Sequence, residues 1–356
     1  LVQPAFHPRR FEEYGRTIVS IVRQLIDSWA SSVDRDGFVE IDADRVMTSL
    51  TLRIICKTLF ATDSADSAQG IAEAVAVLSE VAFNEMQAPA IVPAWWPTSF
   101  HRRKRAAIRL LDDYVWKIIR DRRAEGRDHG DLLSMLLASV DEEGDGGSLD
   151  DRQVRAESMT LMLAGHDTTA AALDWIWFSL GRFPDVAKRC QTEIDSVLKG
   201  RDATVADLPQ LKYLEATIRE TLRMYPPAIG VFLRQATADV EMAGYRIPRS
   251  SLVGLSSFVT QRDPRWFPDP ARFDPERFLP PRFDSIPAGA YFPFGMGPRV
   301  CIGQAFAMTE LLLVVSTVLQ RFDVALKDPN QDPGMFAHMA LRPRDRVLLK
   351  FCRRAN

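Results

Sequence analysis

The amino-acid sequence predicts a mainly α-helical fold with a smaller β portion, on three observations. Apolar residues recur with the 3.6-residue period of an amphipathic helix over residues 11–29 and 106–120. One long, largely apolar helical run extends from Asp150 to about Arg182 and is followed at once by Pro184, a residue suited to the first turn of a new helix. After Pro226-Pro227 the texture changes to short extended pieces.

In chain order, residues 1–225 read as helix after helix. Turn signals separate them at 34–37, at 89–97 and at the acidic, glycine-rich 141–147, which is expected to be an exposed loop. A helix is predicted over 208–224 and stopped by Pro226-Pro227, because proline lacks an amide donor and disfavours helix in the residue before it. Residues 230–235, 240–248 and 252–259 are strand candidates. A proline-rich meander over 263–287 leads to 294–303; a helix is expected over 304–321, and 340–351 alternates as strands do. With no internal repeat or low-complexity tract, residues 1–356 read as one domain, helix-rich in 1–225 and mixed in 226–356.

A chain of 356 residues that is 46% hydrophobic can bury a sizeable core. Its net charge of -2 removes any general case for nucleic acid or anionic lipid as the main partner. Cys56, Cys190, Cys301 and Cys352 are widely scattered, with no CxxC pair, which points to a reducing compartment and hence the cytoplasm. No stretch reaches the ~18 uninterrupted apolar residues of a membrane span, and residues 1–10 lack the pattern of a signal peptide. The chain opens at Leu1 without Met, as though inside a longer protein.

The segment Phe294-Gly295-Met296-Gly297-Pro298-Arg299-Val300-Cys301-Ile302-Gly303 carries the chemistry. Glycines at 295 and 297 let the backbone turn tightly and come close to a neighbouring group where a Cβ would collide, and Gly303 gives the same closeness beyond Cys301. A cysteine at the start of the helix from Gln304 lies at the positive end of the helix dipole, which favours thiolate over thiol. The plain structural alternative is a buried cysteine in a glycine-rich turn. A zinc site is the weaker reading still, since no second ligand has the required spacing.

Inside the long apolar helix stands Ala164-Gly165-His166-Asp167-Thr168-Thr169. An acid beside an alcohol is costly in a buried helix, and the Thr168 hydroxyl can bond back to a carbonyl, so a local distortion or widening is expected. His166, about 100° round the helix from Asp167, is expected to make a structural hydrogen bond. Glu220-Thr221-Leu222-Arg223 places an acid and a base three apart on one helix face, and Pro275-Glu276-Arg277-Phe278 follows downstream. The basic run His101-Arg102-Arg103-Lys104-Arg105 reads as a solvated helix face, and Trp175 and Trp177 as core.

The first of these segments resembles the haem-binding loop of the cytochrome P-450 family. The second is similar to the family's oxygen-activating helix segment, the third to its ExxR and PERF-like segments, and all occur in the family's order, so the resemblance extends over essentially the whole chain. It implies a single P-450-type catalytic domain with haem b (iron protoporphyrin IX) as cofactor, Cys301 as axial ligand of the iron, and O2 as co-substrate. A thiolate ligand donates electron density that favours O–O cleavage. The resemblance makes Asp167 and Thr168 the catalytic pair, Thr168 steadying the dioxygen and Asp167 relaying protons to it. Ala164, Phe294, Gly295, Gly297 and Gly303 would lie against the haem, Arg299 and Arg234 would bind its propionates, and Glu220, Arg223 and Arg277 would form a structural triad behind the loop.

The implied function is a monooxygenase that inserts one oxygen atom into a small apolar organic substrate. Electrons from NAD(P)H would arrive through a separate ferredoxin or flavoprotein reductase. The substrate pocket is expected at Leu161, Ala164, Thr168, residues 228–232 and residues 335–339. The family's N-terminal strands and one propionate-binding helix have no counterpart here, so uncovered strand edges and a partly uncovered haem rim are expected. A peroxide-using haem-thiolate enzyme and a non-catalytic haem-binding or inactive fragment stand as alternatives.

Overall fold

A computed structural model describes residues 10–33, 37–62, 68–87, 98–129, 131–138, 148–230, 232–337 and 339–354. The expected turns at 89–97 and 141–147 lie outside the described residues, as do residues 34–36 of the turn expected at 34–37 and the N-terminal stretch 1–9.

The described elements run α1 (Phe11–Ala30), β1 (Phe38–Asp42), α2 (Ala43–Phe60), α3 (Ala68–Gln87), α4 (Ser99–Glu125), α5 (Leu132–Ala138), α6 (Asp151–Arg182), α7 (Pro184–Leu198) and α8 (Lys212–Met224). Then follow β2 (Phe232–Gln235), β3 (Val240–Met242), β4 (Tyr245–Ile247), β5 (Leu252–Leu255), α9 (Ser257–Thr260), α10 (Gln304–Leu319), β6 (Phe322–Leu326), β7 (Met335–Ala337), β8 (Leu341–Pro343) and β9 (Leu348–Arg353). The fold is mainly helical with small sheets, as the periodicity predicts.

Helix α6 is the axis of the molecule. Asp150 caps its start, with the Gln153 amide donating to Oδ1 at 2.8 Å and the Asp150 amide returning a bond to the Gln153 side chain at 2.9 Å. From Thr169 to Leu180 every residue is buried, so this half of the helix is enclosed on all sides. Trp175 stacks on Tyr225 at 4.0 Å and gives its indole N–H to the Leu341 carbonyl; Trp177 points its own to Met47 Sδ. Both are core, as expected. Helix α10 is equally enclosed from Leu311 to Leu319 and packs on α1, whose Ile18, Val22, Ile26 and Trp29 form its buried stripe.

The long-range pairing had no local signal. Strand β9 pairs antiparallel with β1 on one side, Phe38 opposite Cys352, and with β6 on the other, Phe322 opposite Arg353. The strands β2 and β5 form a two-stranded ribbon on which Leu233, Leu252 and Leu255 remain exposed.

Several boundaries differ from expectation. The helix predicted over 208–224 begins at Lys212, because Val205–Gln210 forms a 3₁₀ turn that contains Pro209 and is closed by Thr204 and Asp207. The strand candidate 252–259 ends at Leu255, where Ser256 accepts from the Val259 amide and starts the short α9. The basic run is only partly a solvated face: His101 is buried, and Arg103 and Lys104 pair with Glu80 at 3.1 Å and Glu85 at 2.6 Å on α3.

Candidate functional site

Gly295 and Gly297 take φ of +74° and +68°, left-handed values that tolerate no side chain without strain. The reversal they allow is closed by the Cys301 amide donating to the Phe294 carbonyl at 2.9 Å and the Gly295 amide donating to Phe292 at 3.0 Å. Cys301 thereby stands one turn before α10, and the amides of Gly303 and Gln304 point at its sulfur. Burial raises its pKa and those two amides lower it, burial prevailing.

The loop is braced from behind. Arg223 donates to both carboxylate oxygens of Glu220, at 2.7 and 2.9 Å, and the pair is fully buried. The Asp274 amide donates to Glu220 Oε1 at 2.8 Å, and Arg277 Nε lies 3.5 Å from the same oxygen. The Arg277 guanidinium also donates to the carbonyls of Pro268 and Asp269. Burial raises the Glu220 pKa and the Arg223 contact opposes it. Gln261 connects this cluster to the loop: its Nε2 donates to the Leu222 and Arg223 carbonyls, and its Oε1 accepts from the Phe292 amide at 2.9 Å. Sequence reasoning missed Gln261, which has no motif around it.

Above the loop lies a cavity of about 200 Å³ between α6, α2 and α10. Cys301, Phe294 and Gly303 line one side, and Ala164, Leu161 and Thr168 of α6 another. Pro227 and Ala228 of the segment after α8 complete it, with Ile55 and Leu59 of α2 and Phe306, Ala307 and Leu311 of α10, which sequence reasoning missed. Among the described residues, 335–337 and 339 do not supply the expected wall. Met335 and Phe336 are exposed on the β7–β8 hairpin, where Phe336 meets Phe83 of α3, and Met339 is exposed too. Arg299 and Arg234 are also exposed and have no carboxylate partner among the described residues.

Helix α6 is α-helical without interruption through this region, so the expected distortion is absent. The Thr168 hydroxyl donates to the Ala164 carbonyl at 2.7 Å, using that oxygen's second lone pair rather than replacing a backbone bond. Asp167 points away from the cavity and is paired with Arg342 of β8 at 2.7 Å. Thr168 and Asp167 are therefore adjacent in sequence but face different clefts. His166 is buried, its Nδ1 2.9 Å from the Thr51 hydroxyl, and burial lowers its pKa to about 4. It is the structural histidine expected.

That depressed pKa has a measurable consequence. A histidine that stays neutral when folded but takes a proton near 6.5 when unfolded contributes stability above that pH, and the contribution is lost as the pH falls from about 6.5 towards 4. Between those limits the native chain is expected to lose ~3 kcal/mol more than His166→Gln in urea unfolding. Equal losses would remove the histidine as the cause.

The donor set suits a thiolate-ligated macrocycle. Among the described residues no group of three His, Cys, Asp or Glu could hold a bare metal ion. Cys301 offers one soft donor to a cavity whose lining is otherwise apolar but for Thr168 and Thr169, and Met296, Val300 and Ile302 beside it are apolar and exposed. A flat apolar group carrying its own iron and two carboxylates matches this surface and the unpaired Arg299 and Arg234.

The family model for cytochrome P-450 matches residues 1–351. The chain belongs to the cytochrome P-450 family. Cyclooctatin synthase of Streptomyces melanosporofaciens is 38% identical over 324 residues, covering 90% of this chain and 69% of that protein. Pentalenene oxygenase of Streptomyces avermitilis is 37% identical over 333 residues, 93% and 72% of the two chains. The solved structure of retinoic acid-bound cyanobacterial CYP120A1 superposes with a TM-score of 0.87 at 26% identity, over 99% of this chain and 77% of that one. This P-450 is a haem-thiolate monooxygenase, with haem b as cofactor and O2 as co-substrate. No described helix is long and apolar enough to cross a membrane.

Proposed function

We propose that this chain, acting as a single catalytic domain over residues 1–356, inserts one atom of dioxygen into an apolar organic substrate held against α6. Electrons from NAD(P)H would reach it through a separate ferredoxin or flavoprotein reductase. The observation that carries the reading is the shared cavity of Cys301 and Thr168, apolar over nearly all its remaining lining. Relatives named for pentalenene and cyclooctatin, and a neighbour bound to retinoic acid, support an apolar substrate.

When bound, the haem supplies the iron at which dioxygen is reduced and made able to attack a C–H bond. The chain's residues do the rest. Cys301 ligates the iron, and the amides of Gly303 and Gln304 stabilise its negative charge. Arg299 and Arg234 would take the two propionates, and Phe294, Gly295, Gly297, Gly303 and Ala164 would pack against the ring. The Thr168 hydroxyl accepts a hydrogen bond from cavity water, or turns from the Ala164 carbonyl to donate into the cavity. Asp167, released from Arg342 by rotation or through water, passes protons to Thr168.

Thr168→Ala tests this. The variant is expected to keep the native haem spectrum while its product-forming rate falls ~10²-fold, the electrons appearing as hydrogen peroxide. Unchanged product per NAD(P)H would remove Thr168 from the reaction. Full activity with peroxide, and none with dioxygen and a reductase, would favour the peroxide-using reading.

A further inference from the structure

Seven residues beyond Asp167, two turns along the same side of α6, stands Asp174, the only ionisable residue between Thr168 and Gly181. Its side chain is wholly buried. One oxygen, Oδ2, lies 3.3 Å from Arg342 Nη1, while Oδ1 finds no donor at all. What faces Asp174 is another acid: the Asp44 carboxylate, in the first turn of α2, lies within hydrogen-bonding reach. A buried oxygen without a donor is satisfied when its own carboxyl carries the hydrogen, which favours Asp174 as the neutral acid. Burial raises the Asp174 pKa well above the carboxylate range, and Arg342 only partly opposes it.

Arg342 is the hub. Its guanidinium reaches Asp167 at 2.7 Å, Asp174 at 3.3 Å and Asp44. Burial disfavours its charge, and the three acids outweigh burial and keep it charged. Asp44, Asp167, His166 and Arg342 line a second cleft, walled by α3 and apart from the Cys301 cavity. Asp44 is more than half exposed, so solvent protons have a way in. Other charges there are already committed: Glu80 pairs with Arg103, Asp42 lies 3.6 Å from Arg346, and His166 Nδ1 is engaged by Thr51.

We propose that Asp174 stores the proton that Asp167 delivers, and that Arg342 shifts its pairing from Asp167 to Asp174 as that proton passes. The exchange balances: Asp174 carboxylic acid and Asp167 carboxylate become Asp174 carboxylate and Asp167 carboxylic acid. The proton travels through Asp44 and the water of the second cleft, and no electron moves. Arg342 faces the same number of carboxylates before and after, so the transfer separates no charge in a buried site. Solvent then reprotonates Asp174 through Asp44. The inference rests on the reading of Asp167 as the proton relay.

The test is Asp174→Asn in the haem-loaded full chain, an isosteric change that keeps a neutral side chain able to donate to Asp44. Independently of turnover, infrared difference spectra at neutral pH should show a protonated-carboxyl carbonyl band in the native protein that vanishes in the variant. With reductase and substrate, product per NAD(P)H should fall about ten-fold, less than for a group that handles the proton directly. The solvent deuterium isotope effect should rise, and Asp174→Glu should restore both. Asp44→Asn, at an exposed position, should weaken the same band and raise the same isotope effect without disturbing the core. Absence of the band, or Asp174→Asn with native coupling and isotope effect, overturns the store. If Asp167→Asn destroys coupling while Asp174→Asn does not, the relay stands and only the store falls. If Asp167→Asn also couples normally, the relay reading fails and the store falls with it.

Discussion

Cys301→Ala should abolish the strongly red-shifted Soret band of the reduced, carbon monoxide-treated protein and, with it, all product formation. The reason is that no other thiol can take its place. Cys56 and Cys190 are buried in the helical core, and Cys190, its pKa pushed up to about 12 by burial, contacts Thr217. Cys352 lies on β9, in the three-stranded sheet, and does not line the cavity. Substitution removes the one soft donor on the apolar floor, and water or a neutral ligand pushes far less electron density onto the iron. Because the uncatalysed oxidation is the only remaining route, the rate loss should be on the order of 10⁶-fold or more. Cys56→Ala, Cys190→Ala and Cys352→Ala should each keep the band; its survival in Cys301→Ala would end the ligand assignment.

Glu220→Ala is expected to have the largest effect on stability. The substitution leaves Arg223, with no exposed side-chain surface, and the nearly buried Arg277 without their carboxylate. Removing one partner of such a pair costs ~3–5 kcal/mol, because the remaining charge has neither water nor counter-ion. That is a large share of the ~5–15 kcal/mol by which a protein is stable. The damage should reach the haem loop, since Gln261 ties the α8 carbonyls to the Phe292 amide next to it. Urea unfolding should show the lower midpoint, and titration with haem a weaker affinity. Glu220→Gln, whose one carbonyl oxygen keeps the contacts from Arg223 Nη2 and the Asp274 amide but whose NH2 faces the Arg223 Nε donor and whose charge is lost, should be intermediate. A midpoint within ~0.5 kcal/mol of the native protein would show that the triad does not brace the fold.

Much of the site was legible because it is local. The loop around Cys301 needs glycines at fixed offsets whatever surrounds it, and positive φ at Gly295 and Gly297 is what their absent side chains permit. Glu220 and Arg223 meet because positions three apart share a helix face. The helices were legible for the same reason. The strand β1 was not, since its partner β9 lies some three hundred residues away and short strands take their stability from pairing.

The sequence by itself determined the family, the glycine-rich loop around Cys301, the course of α6 and the acid–alcohol pair within it, because each is written in neighbouring residues. Only the tertiary structure decided where those groups point. It turned Thr168 towards Cys301 and Asp167 towards a second cleft, and it kept residues 335–337 and 339 out of the cavity. It also brought Arg342 from β8 against Asp44, Asp167 and Asp174. The physical reason is that a charge cluster assembled from α2, α6 and β8 has no period and no spacing: its members are selected by burial, and burial is a property of the packed chain.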